Sequence, residues 1–462
     1  MKKIITVLSF ALLLNANDTT TDALSLNQAL EILKSQNLEV KAATLDIESA
    51  KAKKDTVSGM NWGKLTFTQD VARSNDAGNV FGFKLTSREA NFGDFGANEF
   101  MNNFGQCQGG NLAACNDMYK KPPQDLNYPG YRNFFQSKLK YEVPLFTGFA
   151  ISSYTNIMNE MTKLKTLDKK KVLNEKSYEL RKSFYDMALL NTSIDNLTKI
   201  LNNIDTLEVT TETMIEVGYA KHVDLLEVKA KKGNVERLLS QMEANKKLLY
   251  HYISFLLNRK VDAIEPPASE VAMPNFTDQE VLKKNIDIQR ANTGLEIRKS
   301  MLESNQAAYY PTVGAFGEVA TADDSFLGDA SDHKAYTVGA RLTWNIFNGG
   351  IDSAKIQEAK IEKMKMKSQV ELAKKGIALK LAKIRTEIES VDFEIASLEK
   401  ELALANAIYE NYEGRYKEKL VSMSDVIIKQ SAQIEKILKL QMAKNKRTEK
   451  IFALEKLANG DN

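Results

Sequence analysis

Cysteine, histidine and proline are scarce in this chain, and each scarcity narrows what it can be. Only 2 Cys, 3 His and 8 Pro occur in 462 residues. Cys107 and Cys115 stand together in a Gly/Asn-rich stretch, with too few ligand types nearby for a metal site. In an exported protein they are either a disulfide closing a short surface loop or two free thiols. His222, His251 and His333 lie far apart, without Cys or paired carboxylate neighbours. There is no phosphate-cradling glycine loop and no nucleophile elbow. No catalytic, cofactor or metal constellation is readable, so the chain is not expected to be an enzyme. Lys+Arg 63 against Asp+Glu 60 leaves +3, with the signs interleaved, which argues against a nucleic-acid partner. Long apolar runs are missing too. Beyond the first residues no stretch reaches the roughly 18 residues of a membrane-spanning helix, so any entry into a membrane must be as strands.

The first residues read as a secretory signal. Lys2 and Lys3 precede the apolar run Val7 to Leu14, and Ala16 offers a small residue for cleavage, which assigns residues 1–16 to a signal peptide. No Cys follows it for lipid attachment. Met is plentiful at 15, a hint of soft-metal handling, but Met scattered on helix faces is more often packing.

The rest of the chain is a duplication. Asn37-Leu38-Glu39-Val40 matches Asn285-Ile286-Asp287-Ile288 at an offset of 248. Leu145-Phe146-Thr147-Gly148 matches Ile346-Phe347-Asn348-Gly349 at an offset of 201, and that offset holds to Asp224 and Asp425. The difference is 47 extra residues in the first copy, placed between about residues 74 and 132. The copies are read as residues 17–264 and 275–462, joined by a Pro-containing linker at 265–274.

Each copy carries the same elements. From Ala335 to Phe347 apolar Tyr336, Val338, Leu342, Trp344 and Ile346 alternate with Thr337, Arg341, Thr343 and Asn345, the period of a strand. Its counterpart is Lys138 to Phe146, and first strands precede both near Lys64 to Val71 and Thr312 to Val319. That gives one hairpin per copy. A long helix follows. Ile377, Leu381, Ile384, Ile388, Val391, Ile395, Leu398, Leu402, Ala405, Ile408 and Tyr412 form a seven-residue seam, matched in copy one from Leu180 to Leu207. No Pro interrupts Gly349 to about Lys417, which makes a helix of roughly 100 Å. Turns near Gly218 and Lys419 send a second helix back. A further helix precedes each hairpin, at about Leu26 to Thr56 and Thr277 to Ala307.

Four strands with one apolar face are too few for a closed soluble core. A membrane barrel turns that face to lipid and its polar face to water, and it must close, because an open edge in lipid leaves backbone groups unpaired. Several chains must therefore combine, and three would supply about twelve strands. The charged helices cannot stay in lipid and must project as a second, helical tube. The alternative is a structural or adhesive coiled-coil surface protein. A periplasmic adaptor would need a lipoyl-like or small β-barrel domain, and none is visible.

At this point a resemblance is evident. The duplicated strand, the Phe-x-Gly turn, the long helix and then Gly218-Tyr219-Ala220-Lys221-His222-Val223-Asp224-Leu225-Leu226 resemble the TolC-type outer-membrane efflux proteins over nearly the whole mature chain. The resemblance implies an α+β membrane protein: a homotrimeric twelve-stranded β-barrel in outer-membrane lipid, continuous with a periplasmic α-helical coiled-coil barrel. It implies the exit channel of a tripartite efflux or type I secretion system, docked to a periplasmic adaptor and an RND, ABC or MFS type inner-membrane pump. Its cargo would be drugs, toxic small molecules or secreted proteins.

Site residues follow from the same resemblance. Val217-Gly218-Tyr219 sits where relatives carry a Val-Gly-Leu motif at the adaptor-contacting tip; Lys419 and Leu420 are its counterparts, with no glycine, so either its turn geometry or its adaptor contact is expected to differ. Asp425 aligns with an acid facing the lumen at the closed tip, and threefold symmetry would make it a ring. The second acid expected one turn on is replaced by Ile428. Asp224 and Glu227 keep the acidic spacing in copy one. Tyr416 falls at a position used in the closed-state hydrogen-bond network, whose basic partner is replaced by Val421. The aromatic- and glycine-containing insert suits an ordered extracellular loop that covers the barrel mouth.

Overall fold

In a computed structural model the structure describes residues 23–265, 267, 271–326, 328 and 331–459. The signal segment 1–16 and part of the linker, residues 266 and 268–270, lie outside the described residues. In chain order the elements are α1 (Leu26–Gln36), α2 (Leu38–Gly59), β1 (Lys64–Ser74), α3 (Ala77–Thr86), α4 (Ala97–Gln108), α5 (Leu112–Asp117), α6 (Gln124–Asn127), β2 (Arg132–Phe146), α7 (Ala150–Glu216), α8 (His222–Leu257), α9 (Asp278–Lys284), α10 (Ile286–Gln306), β3 (Thr312–Asp323), β4 (Lys334–Thr343), α11 (Ile351–Lys417) and α12 (Met423–Leu457). By internal contacts the chain divides into two units, each drawing on both copies. One comprises residues up to Glu48, Lys163–Thr293 and Lys367 onward; the other comprises Ser49–Thr162 and Gly294–Met366.

The first unit is helical and built twice over. Helices α7 and α11 are both 67 residues long, about 100 Å each. In copy one Leu180, Phe184 and Met187 of α7 pack against Ile253, Leu256 and Leu257 of α8 and Ala29 and Leu33 of α1. In copy two Leu381, Ile384 and Ile388 of α11 pack against Ile451, Phe452, Leu454 and Leu457 of α12 and Val281 of α9. Each fully buried Leu, Ile or Phe contributes about 1.5–3 kcal/mol relative to exposure, so these clusters dominate the helix pairing. The seam departs from expectation at one place: Tyr409, not Ile408, is buried. The burial series Leu398, Leu402, Ala405, Tyr409, Tyr412, Tyr416 keeps the four-three alternation that a step to position 408 would break.

The helix expected at about Leu26 to Thr56 is two helices, and so is the one at Thr277 to Ala307. Asn37 and Asn285 cause the breaks. Asn37 is buried, its Nδ2 donates to the Leu256 carbonyl at 2.8 Å, and its Oδ1 accepts from the N–H groups of Glu39 and Val40. Asn285 repeats this, donating to the Leu457 carbonyl at 2.9 Å and accepting from Asp287 and Ile288. One side chain thus caps the start of α2 or α10 and anchors it to the end of α8 or α12. The repeat signature that begins with these asparagines is a hinge pin. A short parallel bridge between Leu24 and Ile264 adds to the same region in copy one.

The second unit holds a four-stranded antiparallel sheet in the order β1-β2-β3-β4. Strands β1, β2 and β3 exceed the expected ranges, whereas β4 stops at Thr343, short of Phe347. Register places Leu65, Phe67 and Val71 of β1 on one face with Leu139 and Tyr141 of β2, Val319 of β3 and Tyr336, Val338 and Leu342 of β4. All of these are exposed. The opposite face carries Thr66, Thr68, Lys138, Lys140, Glu318, Thr337 and Arg341. Gly148, which follows β2, has φ +60, and a Cβ there would sit 2.7 Å from the Ala307 carbonyl oxygen. This explains the glycine of the Phe-x-Gly turn, and Gly349 repeats the left-handed φ at +69.

The insert between β1 and β2 is helical rather than a loop. Asp76 caps α3, accepting from the Asn79 N–H at 3.0 Å. Cys107 and Cys115 form a disulfide joining α4 to α5 with Cα atoms 4.8 Å apart, which settles the two alternatives in favour of the bond. Burial opposes ionisation of Asp94, yet the Asn91 N–H and the paired Lys84 outweigh it and hold its carboxyl below the ordinary range.

Loss of the asparagine pin is expected to weaken the helical unit. Asn37→Ala strands two backbone N–H groups and a carbonyl, costing about 2 kcal/mol. Thermal unfolding followed by far-ultraviolet circular dichroism should show a lowered midpoint, and Lys41→Ala, at an exposed position, should not.

Candidate functional site

The sites picked out by sequence converge on the two turns that reverse the long helices, α7 to α8 and α11 to α12. Gly218 has φ +82; its N–H donates to the Ile215 carbonyl at 3.0 Å, and the Tyr219 N–H to that of Met214 at 2.7 Å. This is a Schellman ending, which needs a left-handed residue at that point. Copy two lacks the glycine, yet its turn geometry is the same: Lys419 takes φ +66, its N–H donates to Tyr416 at 2.8 Å, and the Leu420 N–H donates to Arg415 at 2.9 Å. A non-glycine residue pays roughly 1–2 kcal/mol for that conformation. The lysine recovers part of this, because its Nζ lies 3.3 Å from the ring centroid of Tyr219 and so ties one turn to the other.

Both acids cap the returning helices. The Asp224 Oδ2 accepts from the Lys221 N–H at 2.8 Å. The Asp425 Oδ2 accepts from the Ser422 N–H at 3.1 Å and its hydroxyl at 2.6 Å, while the Asp425 N–H donates back to the Ser422 Oγ at 3.2 Å. This reciprocal capping box closes the first turn of α12. The Ser422 hydroxyl, then its N–H, hold the Asp425 carboxyl below its ordinary 3.8, with Lys429 and Arg415 adding to the effect.

Tyr416 is buried among Leu207, Met423 and Val426, and its hydroxyl lies 3.4 Å from the Thr211 Oγ1. It therefore bonds inside its own chain, between α7 and α11. Burial pushes its phenol up, with Thr211 opposing. Val421 packs against the same cluster, consistent with its apolar character. Glu227 is bonded by the Ser424 hydroxyl, and Lys231 donates to the Ser431 Oγ at 2.7 Å, so α8 and α12 are stitched side by side. Burial lowers the Lys231 pKa. These cross-helix partners were not legible, because Ser and Thr in a long polar helix give no signal of what they face. Val217, Tyr219, Val223, Leu226, Leu420 and Ile428 remain more than half exposed around the turns.

Elsewhere the described residues bring together Glu89, Asp323 and Asp324, with carboxylate atoms within 4.8 Å of one another. Arg132 is paired with Glu89 and lies 3.9 Å from Asp324, so a guanidinium already supplies the positive charge there.

No protein-family model matches the chain. The multidrug resistance outer membrane protein MdtQ of Escherichia coli O6:H1 is 24% identical over 184 residues, 38% of this chain. Its counterpart in Shigella flexneri is 25% identical over 184 residues. The matched part spans 37% of the length of each of these relatives. Among solved structures, CusC superposes with a TM-score of 0.77 at 13% identity, covering 94% of this chain and 92% of that one. The outer membrane protein VceC of Vibrio cholerae gives 0.75 at 14% identity, covering 95% and 96%. The open-state MtrE outer membrane channel of Neisseria gonorrhoeae gives 0.73 at 14%, covering 94% and 89%. This chain has the fold of the outer-membrane efflux channels. The TolC-like architecture expected from the duplicated sequence is thus borne out for a single chain, with four strands and two long helix pairs.

The capping box generates a pH dependence. Because Asp425 is more acidic in the folded chain, its contribution is fully present above its ordinary 3.8 and is lost as pH falls through the lowered value. Hydrogen exchange at the first turn of α12 should accelerate over that acid window, and Ser422→Ala, which removes the hydroxyl but keeps the 422 N–H, should weaken the dependence.

Proposed function

We propose that three copies of this chain close into an outer-membrane exit channel, a passive conduit from periplasm to exterior. The observation that carries this reading is the sheet: a face on which Leu65, Phe67, Val71, Leu139, Tyr141, Val319, Tyr336, Val338 and Leu342 are exposed, backed by a polar one, with β1 and β4 as open edges. Exposed apolar strands facing lipid, charged residues facing water and edges paired between copies satisfy every backbone group, whereas a solitary sheet satisfies none of these demands. No helix among the described residues is long and apolar enough to cross a membrane. The disulfide fits an exported protein. A groove of about 560 Å³ between α7, α8 and α12, with exposed Leu248 and Met442 at its border, offers the helical unit a seat for a neighbouring copy.

The helical unit would stand in the periplasm, with the exposed Val217, Tyr219 and Leu420 at the tip docking a periplasmic adaptor that links to an inner-membrane pump. The multidrug resistance name of the relatives supports small toxic compounds as cargo. Chemistry is left to the pump, and the conduit itself catalyses nothing. In a trimer the Asp425 carboxylates would form a ring that attracts cations at the narrow end.

In detergent gels the protein should migrate as a trimer that dissociates on heating, and in planar bilayers it should give discrete conductance. A water-soluble monomer without conductance would instead favour an adhesive coiled-coil surface protein. For the ring, Asp425→Ala should abolish block by multivalent cations. Ser422→Ala breaks the same cap but keeps the carboxylate, and should retain block. Unchanged block in Asp425→Ala would remove that residue from the role.

A further inference from the structure

The insert between β1 and β2 rests on one face of the sheet, and register identifies which. Phe134 pairs with Ala72, Gln136 with Asp70 and Ala322, and Lys138 with Thr68, so Phe134 belongs to the face that carries Lys138 and Lys140. A phenylalanine on that polar face is nevertheless only 8% exposed. Phe83 of α3 covers it, the two rings stacked 4.2 Å apart at 10°. Arg132, two residues earlier on the same face, donates to the Ser87 Oγ at 3.3 Å and is paired with Glu89, both in the insert. Helix α3 touches β2 and β3, and Ala322 of the same face is buried. On the other face, Val71 stays 64% exposed. An insert folded outward would have covered Val71 and left Phe134 bare.

The insert is also internally braced. Lys84 is paired with Asp94, the rings of Phe81 and Phe95 meet edge to face at 5.3 Å, and the disulfide joins α4 to α5. It is therefore a preformed body fixed to the sheet through side chains, with none of its backbone in the sheet ladder.

We propose that this insert folds into the lumen and forms a size-restricting collar at the outer end of the duct, anchored on the polar face by Phe83 and Arg132. The inference rests on the channel reading, in which the polar face lines the lumen. Small solutes pass the collar; a bulky polymer is stopped unless the anchor is released.

Thiol labelling from the outer side of intact cells tests it. Thr68→Cys reports the polar face of β1 below the insert, and the adjacent Phe67→Cys reports the apolar face. Cys107 and Cys115 are bonded to each other and do not react. Thr68→Cys in the full chain should react with a small charged methanethiosulfonate but exclude a kilodalton-scale poly(ethylene glycol) maleimide. Adding Phe83→Ala with Arg132→Ala should raise polymer labelling from undetectable to readily measured. Replacing residues 77–130 by an Asn-Gly turn should do the same, which covers failure of the point variant to fold. Heat-modifiable trimer migration confirms assembly in each case. Polymer labelling of Thr68→Cys that is equal with and without the insert overturns the collar. Small-reagent labelling of Phe67→Cys in place of Thr68→Cys, or of neither in any background, overturns the face assignment and the channel reading with it.

Discussion

In the channel reading, backbone pairing in an apolar surrounding is the constraint from which this architecture follows. A strand whose apolar side chains face lipid cannot leave an N–H or C=O without a partner, because no water is there to take its place. The sheet has two outer strands, β1 and β4, each with one side unpaired within the chain. In the channel reading, copies of the chain supply the missing neighbours, and the charged faces of α7 and α11 and the polar face of the sheet meet water. No helix among the described residues is long and apolar enough to cross a membrane.

The duplication serves this constraint through a small number of repeated fixings. Asn37 and Asn285 perform the same three-bond task in the two copies, and Gly148 and Gly349 give the same left-handed exit from a strand. The copies diverge at two marked places. Copy one carries the braced insert between β1 and β2, and copy two carries a lysine where copy one has a glycine. In the latter case backbone hydrogen bonds keep the turn identical, and the side chain gains a contact to Tyr219 that glycine could not make.

Much of this was legible in the sequence, and the misses share a cause. Period-two and period-seven patterns report burial against a continuous surface, so the four strands and the seam from Leu180 and Leu381 onward could be read directly. The helix breaks at Asn37 and Asn285 could not, since periodicity continues through them and only a partner carbonyl 172 or 219 residues away reveals the role. Apolar character points to Ile408, whereas the seam admits Tyr409, whose ring is buried. The turn at Lys419 keeps its form without glycine because the hydrogen bonds of the helix ending, which leave no mark on the sequence, fix the chain there. Helices in the insert were obscured by Gly and Asn residues that act there as caps. Of the site residues, Asp425 stands out by its alignment with a lumen-facing acid and Asp224 by the repeated acidic spacing, but their bonds within the turns come from the structure alone.

The 67-residue span shared by α7 and α11 has a consequence for how such helix pairs can change length. The two turns meet through Lys419 and Tyr219, and the seams repeat every seven residues. Adding one residue to a single helix would rotate its turn by about 100° and lift it away from its sister. Growth or shortening is therefore quantised: whole heptads, inserted in both copies and in both the outgoing and returning helices. Reach across a compartment becomes a stepwise quantity, set in increments of about 10 Å.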